Sequence, residues 1–393
     1  MNKKNLTLNV NIPFCKEKCG YCDQFVLTGY TTVQKEEYIH ALYRELASVS
    51  EDLADYEVTV IHITGGSPCR MGGSILKELI QNIRTCMDVA ADAEITLDCV
   101  PDSVGTILLE ELRGCGEVRL AIEQETFDVQ QHFSLEQNFT VTSIQDCMTV
   151  LDSMHWTDFG ISLLYGLPGQ GIASLSSAIQ TCAGYNASEI SLSPLRLNKS
   201  SCLWKEWQSQ QQTPCDNPRR RFPDEEKCQQ LYTEGTSLLQ TLGYRPVTPW
   251  HFQLSGSNHP LLVANYCADT DTLGLGLNAV SRYDGIRCRN TDDFALYLAH
   301  SGEFEKITVE AAVLAPEEQL RHGLIRGLFA VTGIDLTTFS ARYPGTSLSF
   351  YENEFRTWEE KGWISRDSQK IALTASGYYH YPEICGTLSE KIL

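Results

Sequence analysis

Three cysteines stand close together near the start of the chain, in Pro13-Phe14-Cys15-Lys16-Glu17-Lys18-Cys19-Gly20-Tyr21-Cys22, with three and then two residues between them. Three thiolates on so tight a loop can hold three corners of a four-iron cluster and leave the fourth iron open. An open iron takes a small molecule through an amine and a carboxylate. The same residues could hold a structural zinc ion, which wants a fourth ligand; Asp23 is the candidate, and no histidine is close. Chance spacing is the plain alternative. The other twelve of the fifteen cysteines are scattered singly, as small buried apolar residues are. Among the histidines, His62 reads as a satisfied strand residue and His259 as a surface residue. His251 lies in Thr248-Pro249-Trp250-His251-Phe252, where Trp250 and Phe252 could cover a flat ring while His251 moves a proton. Core packing is its plain alternative.

The elements that must position these residues alternate regularly. Asn5 to Pro13 places Leu6, Leu8, Val10 and Ile12 on one face and reads as a strand, and Thr32 to Leu53 has helical spacing. The alternation then repeats: strands at 58–63, 94–100, 118–123, 159–165 and 189–195, with helices at 74–87, 104–113, 141–154 and 172–182 between them. Six strands joined through helices imply parallel strands with right-handed crossovers, in either an open doubly wound sheet or a barrel. In both, reactive loops lie at the carboxyl ends of strands, so the cysteine loop and the glycine-bearing loops that follow strands converge on one rim. Ser200 to Pro223 is polar and proline-punctuated and reads as a surface excursion. Pro223 to Leu242 reads as a helix, and Leu273-Gly274-Leu275-Gly276-Leu277-Asn278 as a glycine-rich turn. From about Glu310 the helices Pro316 to Phe329 and Ser347 to Lys361 precede an alternating stretch, Trp363 to Leu373. That pattern fits a compact winged-helix-like unit.

With 393 residues, 42% apolar and 21% charged, the chain is expected to be an ordinary globular protein of two domains, or of one large domain with an appendage, and not a disordered one. A net charge of −19 disfavours a broad nucleic-acid-binding face, and Arg219, Arg220 and Arg221 form the one local basic run, whose plain reading is a solvated loop. No apolar stretch is long enough for a membrane helix and no secretion segment follows the first residues, so the expected location is the cytoplasm.

The cysteine spacing, with Tyr21 before the third cysteine and a strand before the first, resembles the signature of the radical S-adenosylmethionine (SAM) enzymes. Asn11-Ile12-Pro13-Phe14-Cys15, Gly65-Gly66-Ser67-Pro68, Arg119-Leu120, Tyr165-Gly166-Leu167-Pro168-Gly169-Gln170 and Leu273-Gly274-Leu275-Gly276 occur in the order seen in one subfamily. That subfamily holds oxygen-independent coproporphyrinogen III oxidases, related heme chaperones and a class of radical SAM C-methyltransferases. The resemblance spans nearly the whole chain. It implies an α/β fold, a partial (βα)6 radical SAM barrel over residues 1–300, followed by a winged-helix-like α+β domain over 301–393. It implies a [4Fe-4S] cluster on Cys15, Cys19 and Cys22, SAM as cofactor (two molecules in a methyltransferase), heme in a chaperone, and a low-potential electron donor of flavodoxin or ferredoxin type. Tyr21, Gly65, Gly66, Asp98, Arg119, Glu125, Gly166, Pro168 and Gln170 would line the cofactor, and His251 and Glu125 would take part in the chemistry.

Departures from the family pattern bear on the activity. Asp98 stands where a glutamate is usual, Glu125 where a glutamine is, Ser162 for an aspartate and Thr64 for a glycine. Gln24 replaces the fourth cysteine usual in coproporphyrinogen oxidases. The histidine-asparagine and tyrosine-tryptophan pairs of the heme chaperones are altered to His259-Pro260 and Asn265-Tyr266-Cys267. With both marker motifs altered, the expectation is radical C-methylation of a planar conjugated substrate such as a porphyrin, quinone or heteroaromatic. Heme delivery, oxidative decarboxylation and an inactive paralogue are the alternatives.

Overall fold

In the computed structural model, residues 3–137, 139–199, 201–213, 215–257 and 260–390 are described. The alternation in the first strand, β1 (Lys4–Ile12), has its physical counterpart: Leu6, Leu8, Val10 and Ile12 are wholly buried against helices, and Thr7, Asn9 and Asn11 point the other way. Five further strands follow in parallel, β2 (Tyr56–Gly65), β3 (Val89–Cys99), β4 (Val118–Glu125), β5 (Phe159–Tyr165) and β6 (Glu189–Pro194), each a hydrogen-bonded neighbour of the one before. Helices Thr32–Ser50, Gly73–Cys86, Thr106–Leu112, Ser143–Ser153 and Ile172–Gly184 make the crossovers. Because the strand order never reverses, right-handed crossovers put every helix on the same face, and the sheet must curl around the other. This decides between the two architectures open at the sequence level in favour of a partial barrel.

The barrel does not close. β7 (Tyr244–Pro246) and β8 (His251–Leu254) extend the β6 edge with antiparallel pairing, β8 lying directly beside β6. On the other side β9 (Asp271–Leu275) runs parallel to β1. It is followed outward by β10 (Val280–Tyr283), β11 (Ile286–Asn290) and β12 (Thr308–Val313), giving a sheet of twelve strands among the described residues. The stretch from Leu273 to Leu275, expected as part of a turn, is therefore strand, and the turn begins at Gly276. A Cβ at Gly274 would sit 2.6 Å from the Val280 carbonyl oxygen, so the glycine serves close strand packing rather than chain reversal. The segment expected as a surface excursion contains the helix Cys202–Gln212, capped by the Ser201 hydroxyl, which accepts from Trp204 N at 3.2 Å. Only Leu203 of that helix is buried, so it carries no apolar stripe to betray it in sequence.

A second core, around Leu324, Phe355, Trp358, Ile371 and Ile384, forms between helices Pro316–Phe329, Glu352–Glu360 and Tyr381–Glu390 and a small antiparallel sheet of β13 (Ile334–Asp335), β14 (Ile364–Arg366) and β15 (Lys370–Leu373). Among the described residues no helix is long and apolar enough to cross a membrane.

The turn after β9 is held by a buried carboxylate. Glu45 accepts from Gly276 N at 2.8 Å, from Asn290 Nδ2 at 2.6 Å and from the Tyr297 hydroxyl. Burial nonetheless raises its carboxyl to about 7 against the pull of these donors. A folded-state value above the unfolded one means stability that is fully present at low pH and lost as pH rises through about 7. Urea unfolding is expected to show a loss on the order of 3 kcal/mol between about pH 5 and about pH 8, and Glu45→Gln is expected to flatten that slope.

Candidate functional site

The loop carrying the three cysteines leaves the carboxyl end of β1 and is fastened at both ends. Leu27 N donates to Pro13 O at 2.7 Å and Cys15 N to Leu27 O at 3.0 Å, so the chain returns to its starting point after one excursion. Phe14, wholly buried, anchors the near end with its ring 4.8 Å from Tyr30 and 5.3 Å from Tyr38. The Tyr38 hydroxyl donates to Asn11 O at 2.6 Å, and a Cβ at Gly276 would lie 2.4 Å from that hydroxyl, so the turn after β9 supports the exit of β1. Gly66 N and Ser67 N donate to Ile12 O and Phe14 O at 2.8 and 2.9 Å, which ties the loop after β2 to the same place. Side chains have no room at the two glycines: a Cβ at Gly65, where φ is +115°, would strike Asn11 Oδ1, and one at Gly66 would lie 2.7 Å from Phe14 O. Gly20 N donates to Leu135 O and Leu203 N to Gly20 O, so the loop is roofed by helices Val129–Ser134 and Cys202–Gln212.

Cys15, Cys19 and Cys22 are half-buried thiols on this rim. Burial together with Glu123 and Asp23 pushes the Cys22 thiol up against the opposing pull of the Gln24 amide and Lys18. Among the described residues no three His, Cys, Asp or Glu side chains converge closely enough to hold a single metal ion. A cubane is gripped by one thiolate per iron, so its ligands stand farther apart than those around one ion.

Beneath the loop lies a group of carboxylates, Asp98 on β3 and Glu123 and Glu125 on β4. A bulge at Gln124 shifts the pairing of β4 with β5, and Glu125 has a φ of +67°, a strained value for this residue type. The strain aims it at the loop, where the Tyr21 hydroxyl donates to Glu125 Oε1 at 3.2 Å. Glu125 Oε2 is buried and has no partner among the described residues. Burial raises the Glu125 carboxyl to about 7, against the Tyr21 hydrogen bond, and Glu123 is raised by burial, Asp98 and Glu125 together. Asp98 Oδ1 pairs with His62 Nε2 at 3.0 Å; burial opposes a charge on His62, but Asp98 and Glu94 outweigh it and raise the imidazole. An unpartnered carboxylate oxygen beside three cluster-spaced thiols calls for a cationic donor, and the ammonium of an amino-acid-bearing ligand fits.

Two joined cavities occupy the barrel interior. The smaller, about 230 Å³, is lined by Asp98, Arg119, Glu123, Ser162 and Glu189. The larger, about 530 Å³, shares His62 and His251 with it and opens beneath helix Pro316–Phe329. Its described lining contains no carboxylate but does contain Arg282, Arg287 and Arg326, with Trp250, Tyr266 and Phe329 as aromatic wall. Three buried polar atoms on residues lining this cavity have no partner among the described residues: Arg282 Nε and Trp250 Nε1, both donors, and Asn9 Oδ1.

The residues singled out from sequence are distributed unevenly over this arrangement. Tyr21, Gly65, Gly66, Asp98 and Glu125 gather at the cysteine rim. Gly166 and Pro168 lie on the loop after β5, but Gln170 spends its amide inside that loop, accepting from Gly166 N and Leu167 N and donating to Leu164 O. Arg119 is not at the rim: it sits near the amino end of β4, paired with the half-exposed Asp158 at 2.6 Å and the buried Glu189 at 3.0 Å. His251 lines both cavities, its Nδ1 2.9 Å from the Thr248 hydroxyl, and burial lowers its pKa, which keeps the ring neutral. Trp250 shares its wall, whereas Phe252 is buried in the core and covers nothing there. His259 lies outside the described residues. Glu123, Arg282 and Arg326 did not emerge from the sequence. Glu123 was readable as the second carboxylate of Glu-Gln-Glu, but the arginines come from elements far apart in the chain.

No family model matches the chain. It is 23% identical over 383 residues to the heme chaperone HemW of Bacillus subtilis, covering 96% of this chain and 97% of that protein. It is 21% identical over 399 residues to the oxygen-independent coproporphyrinogen III oxidase of Escherichia coli, covering 98% and 85%. Among solved structures, coproporphyrinogen III oxidase (HemN) from Escherichia coli, described as a radical SAM enzyme, superposes with a TM-score of 0.82 at 20% identity, covering 99% of this chain and 91% of that one. Neither of these relatives is named as a methyltransferase, and C-methylation gains no support from them. The chain thus has the radical SAM fold and is a homologue of the heme chaperone HemW and of oxygen-independent coproporphyrinogen III oxidase.

Proposed function

We propose that this protein holds a [4Fe-4S] cluster on Cys15, Cys19 and Cys22, binds SAM beside it, and acts on a planar, carboxylate-bearing tetrapyrrole in the larger cavity. The observation that carries the reading is the unpartnered, buried Glu125 Oε2 beneath three cluster-spaced thiols. When bound, the two cofactors supply one-electron cleavage of SAM to methionine and a 5′-deoxyadenosyl radical. Glu125, with Glu123 behind it, accepts from the ammonium of the amino-acid moiety, and Gly65 and Gly66 keep the adjoining backbone free of side chains. Phe14, Leu135 and Leu203 exclude water from the rim. In the larger cavity, Arg282 Nε and Trp250 Nε1 donate to a substrate carboxylate, Phe329 and Tyr266 flank a flat ring, and neutral His251 is placed to take up a proton.

Substituting Glu125→Gln replaces an ionised acceptor by a neutral amide. SAM affinity, read by equilibrium dialysis on the reconstituted protein, is expected to fall about tenfold or more, the worth of a charge-assisted hydrogen bond of roughly 1.5–3 kcal/mol.

The reading as a whole is tested by anaerobic reconstitution with iron and sulfide, reduction with dithionite in the presence of SAM, and mass spectrometry of the products. Formation of 5′-deoxyadenosine supports it; a protein that assembles no cluster overturns it. Adding coproporphyrinogen III reads the substrate, by loss of carbon dioxide, and S-adenosylhomocysteine would reveal methyl transfer. A second reading, heme delivery without SAM turnover, draws on the aromatic wall of the larger cavity and on the HemW relatives. Stoichiometric heme binding that is lost in Trp250→Ala, without 5′-deoxyadenosine, would favour it.

A further inference from the structure

The two cavities meet at His62 and His251, and the two rings are held differently. His251 on β8 spends Nδ1 on the Thr248 hydroxyl, 2.9 Å away, and among the described residues no ion pair engages it. His62 on β2 lies opposite Thr96 of β3. Asp98, two residues on and therefore on the same face, brings Oδ1 to 3.0 Å from His62 Nε2. The other ring nitrogen, Nδ1, has no hydrogen-bond partner among the described residues, and 18% of the side chain remains exposed. Burial opposes a charge on this ring, but Asp98 and Glu94, both from β3, outweigh it and favour the imidazolium. On the smaller cavity's side stand Glu123, Glu189 and Arg119, whose guanidinium is committed to Asp158 and Glu189. On the larger cavity's side stand Arg282, Arg287, Arg326 and His322, a ring that burial and the nearby arginines keep neutral.

A carboxylate-bearing ligand that reaches from the arginines toward the smaller cavity meets Asp98 and Glu123, whose ionised forms repel it. His62 is the basic group that stands between. A pair that served packing alone has no need to leave one nitrogen open to a cavity whose Arg282 Nε and Trp250 Nε1 also lack partners among the described residues. We infer that His62, paired with Asp98, holds a substrate carboxylate at the junction of the two cavities and thereby sets which arm of the ligand is turned toward the cysteine rim. Nε2–H donates to Asp98 and Nδ1–H to the substrate carboxylate, so the ring bridges two anions that would otherwise repel each other. The inference rests on the proposed binding of a tetrapyrrole in the larger cavity and gives His62 a role that its place on a strand did not reveal.

The test uses the full chain reconstituted with iron and sulfide, and coproporphyrin III as a stable tetracarboxylate probe. Equilibrium dialysis is expected to give a dissociation constant that rises roughly tenfold between about pH 6 and about pH 9, as the imidazolium loses its proton above the ordinary imidazole range. His62→Asn keeps a neutral amide near Nδ1 but cannot carry the charge. It should raise the constant about tenfold at about pH 6, the worth of a charge-assisted hydrogen bond, and leave it nearly unchanged at about pH 9. Glu123 and Glu125 also ionise as pH rises, but both remain in the variant, so the part of the slope that His62→Asn removes belongs to His62. Asp98→Asn keeps the ring and should move the midpoint of the profile to lower pH; if His62→Asn does not fold, an unmoved midpoint in Asp98→Asn overturns the inference by itself. An equal loss at both pH values in His62→Asn, or no loss at either, overturns it and leaves the tetrapyrrole reading in place. A wild-type chain that binds no coproporphyrin III at either pH overturns both.

Discussion

Replacing Cys22 with alanine is expected to yield a folded protein that retains neither the iron nor the sulfide of a full cluster and forms no 5′-deoxyadenosine above background. Cys22 is half-buried on a loop whose fastenings lie elsewhere, at Pro13, Leu27, Gly20 and Leu203, so the barrel does not depend on its side chain. The backbone bond from its own N to Cys19 O at 3.2 Å survives the substitution. The unfolding free energy should therefore stay within about 0.5–1 kcal/mol of the wild type, as for other substitutions away from the core. Iron and sulfide analysis after anaerobic reconstitution, paired with a urea titration, separates the two effects. A variant that keeps four irons and its turnover would remove Cys22 from the ligand set, and one that unfolds would make the loop a structural element.

Asp269→Ala is expected to cost on the order of 3–5 kcal/mol and to loosen the C-terminal helices from the barrel. Asp269 is nearly fully buried, with a φ of +55°, and gathers side chains from both units. Arg282 of β10 and Arg326 at 3.3 Å share its Oδ1, the Tyr343 hydroxyl donates to Oδ2 at 2.5 Å, and Arg342 donates to its carbonyl oxygen. Burial lowers the Arg282 pKa while Asp269 holds it up, so removing the carboxylate strands a buried guanidinium. Because Arg282 and Arg326 also line the larger cavity, the substitution should impair binding of a carboxylate-bearing ligand as well. Urea unfolding and limited proteolysis between residues 290 and 320 are the measurements. An unfolding midpoint unchanged from the wild type would make Asp269 a minor contact instead of the link between the two units.

The cysteine loop and the six βα repeats were legible because their signals are local. Cys15, Cys19 and Cys22 need only their spacing on one short loop, and Leu6, Leu8, Val10 and Ile12 report a buried strand face through alternation alone. The helix Cys202–Gln212 was missed for the converse reason: it buries one leucine, so its 3.6-residue period is silent. β9 was misread because Gly274 and Gly276 are the residues of a turn, and only the neighbouring Val280 and Tyr38 require glycine for close approach.

By itself the sequence determined the repeat of elements, the three thiols and the order of motifs along the rim, all properties of residues near one another in the chain. Only the tertiary structure decided what the polar residues do. Arg119 sits on a strand of the barrel, but the strand's direction carries it away from the rim to Asp158 and Glu189. Glu123 and Glu125 join Asp98 because β3 and β4 are neighbours in the sheet, and Arg282 and Arg326, more than forty residues apart, share a cavity because Asp269 draws them together. A thiol's capacity to hold iron follows from its type and spacing. The partner of a buried charge depends on distance and dielectric, and folding sets both.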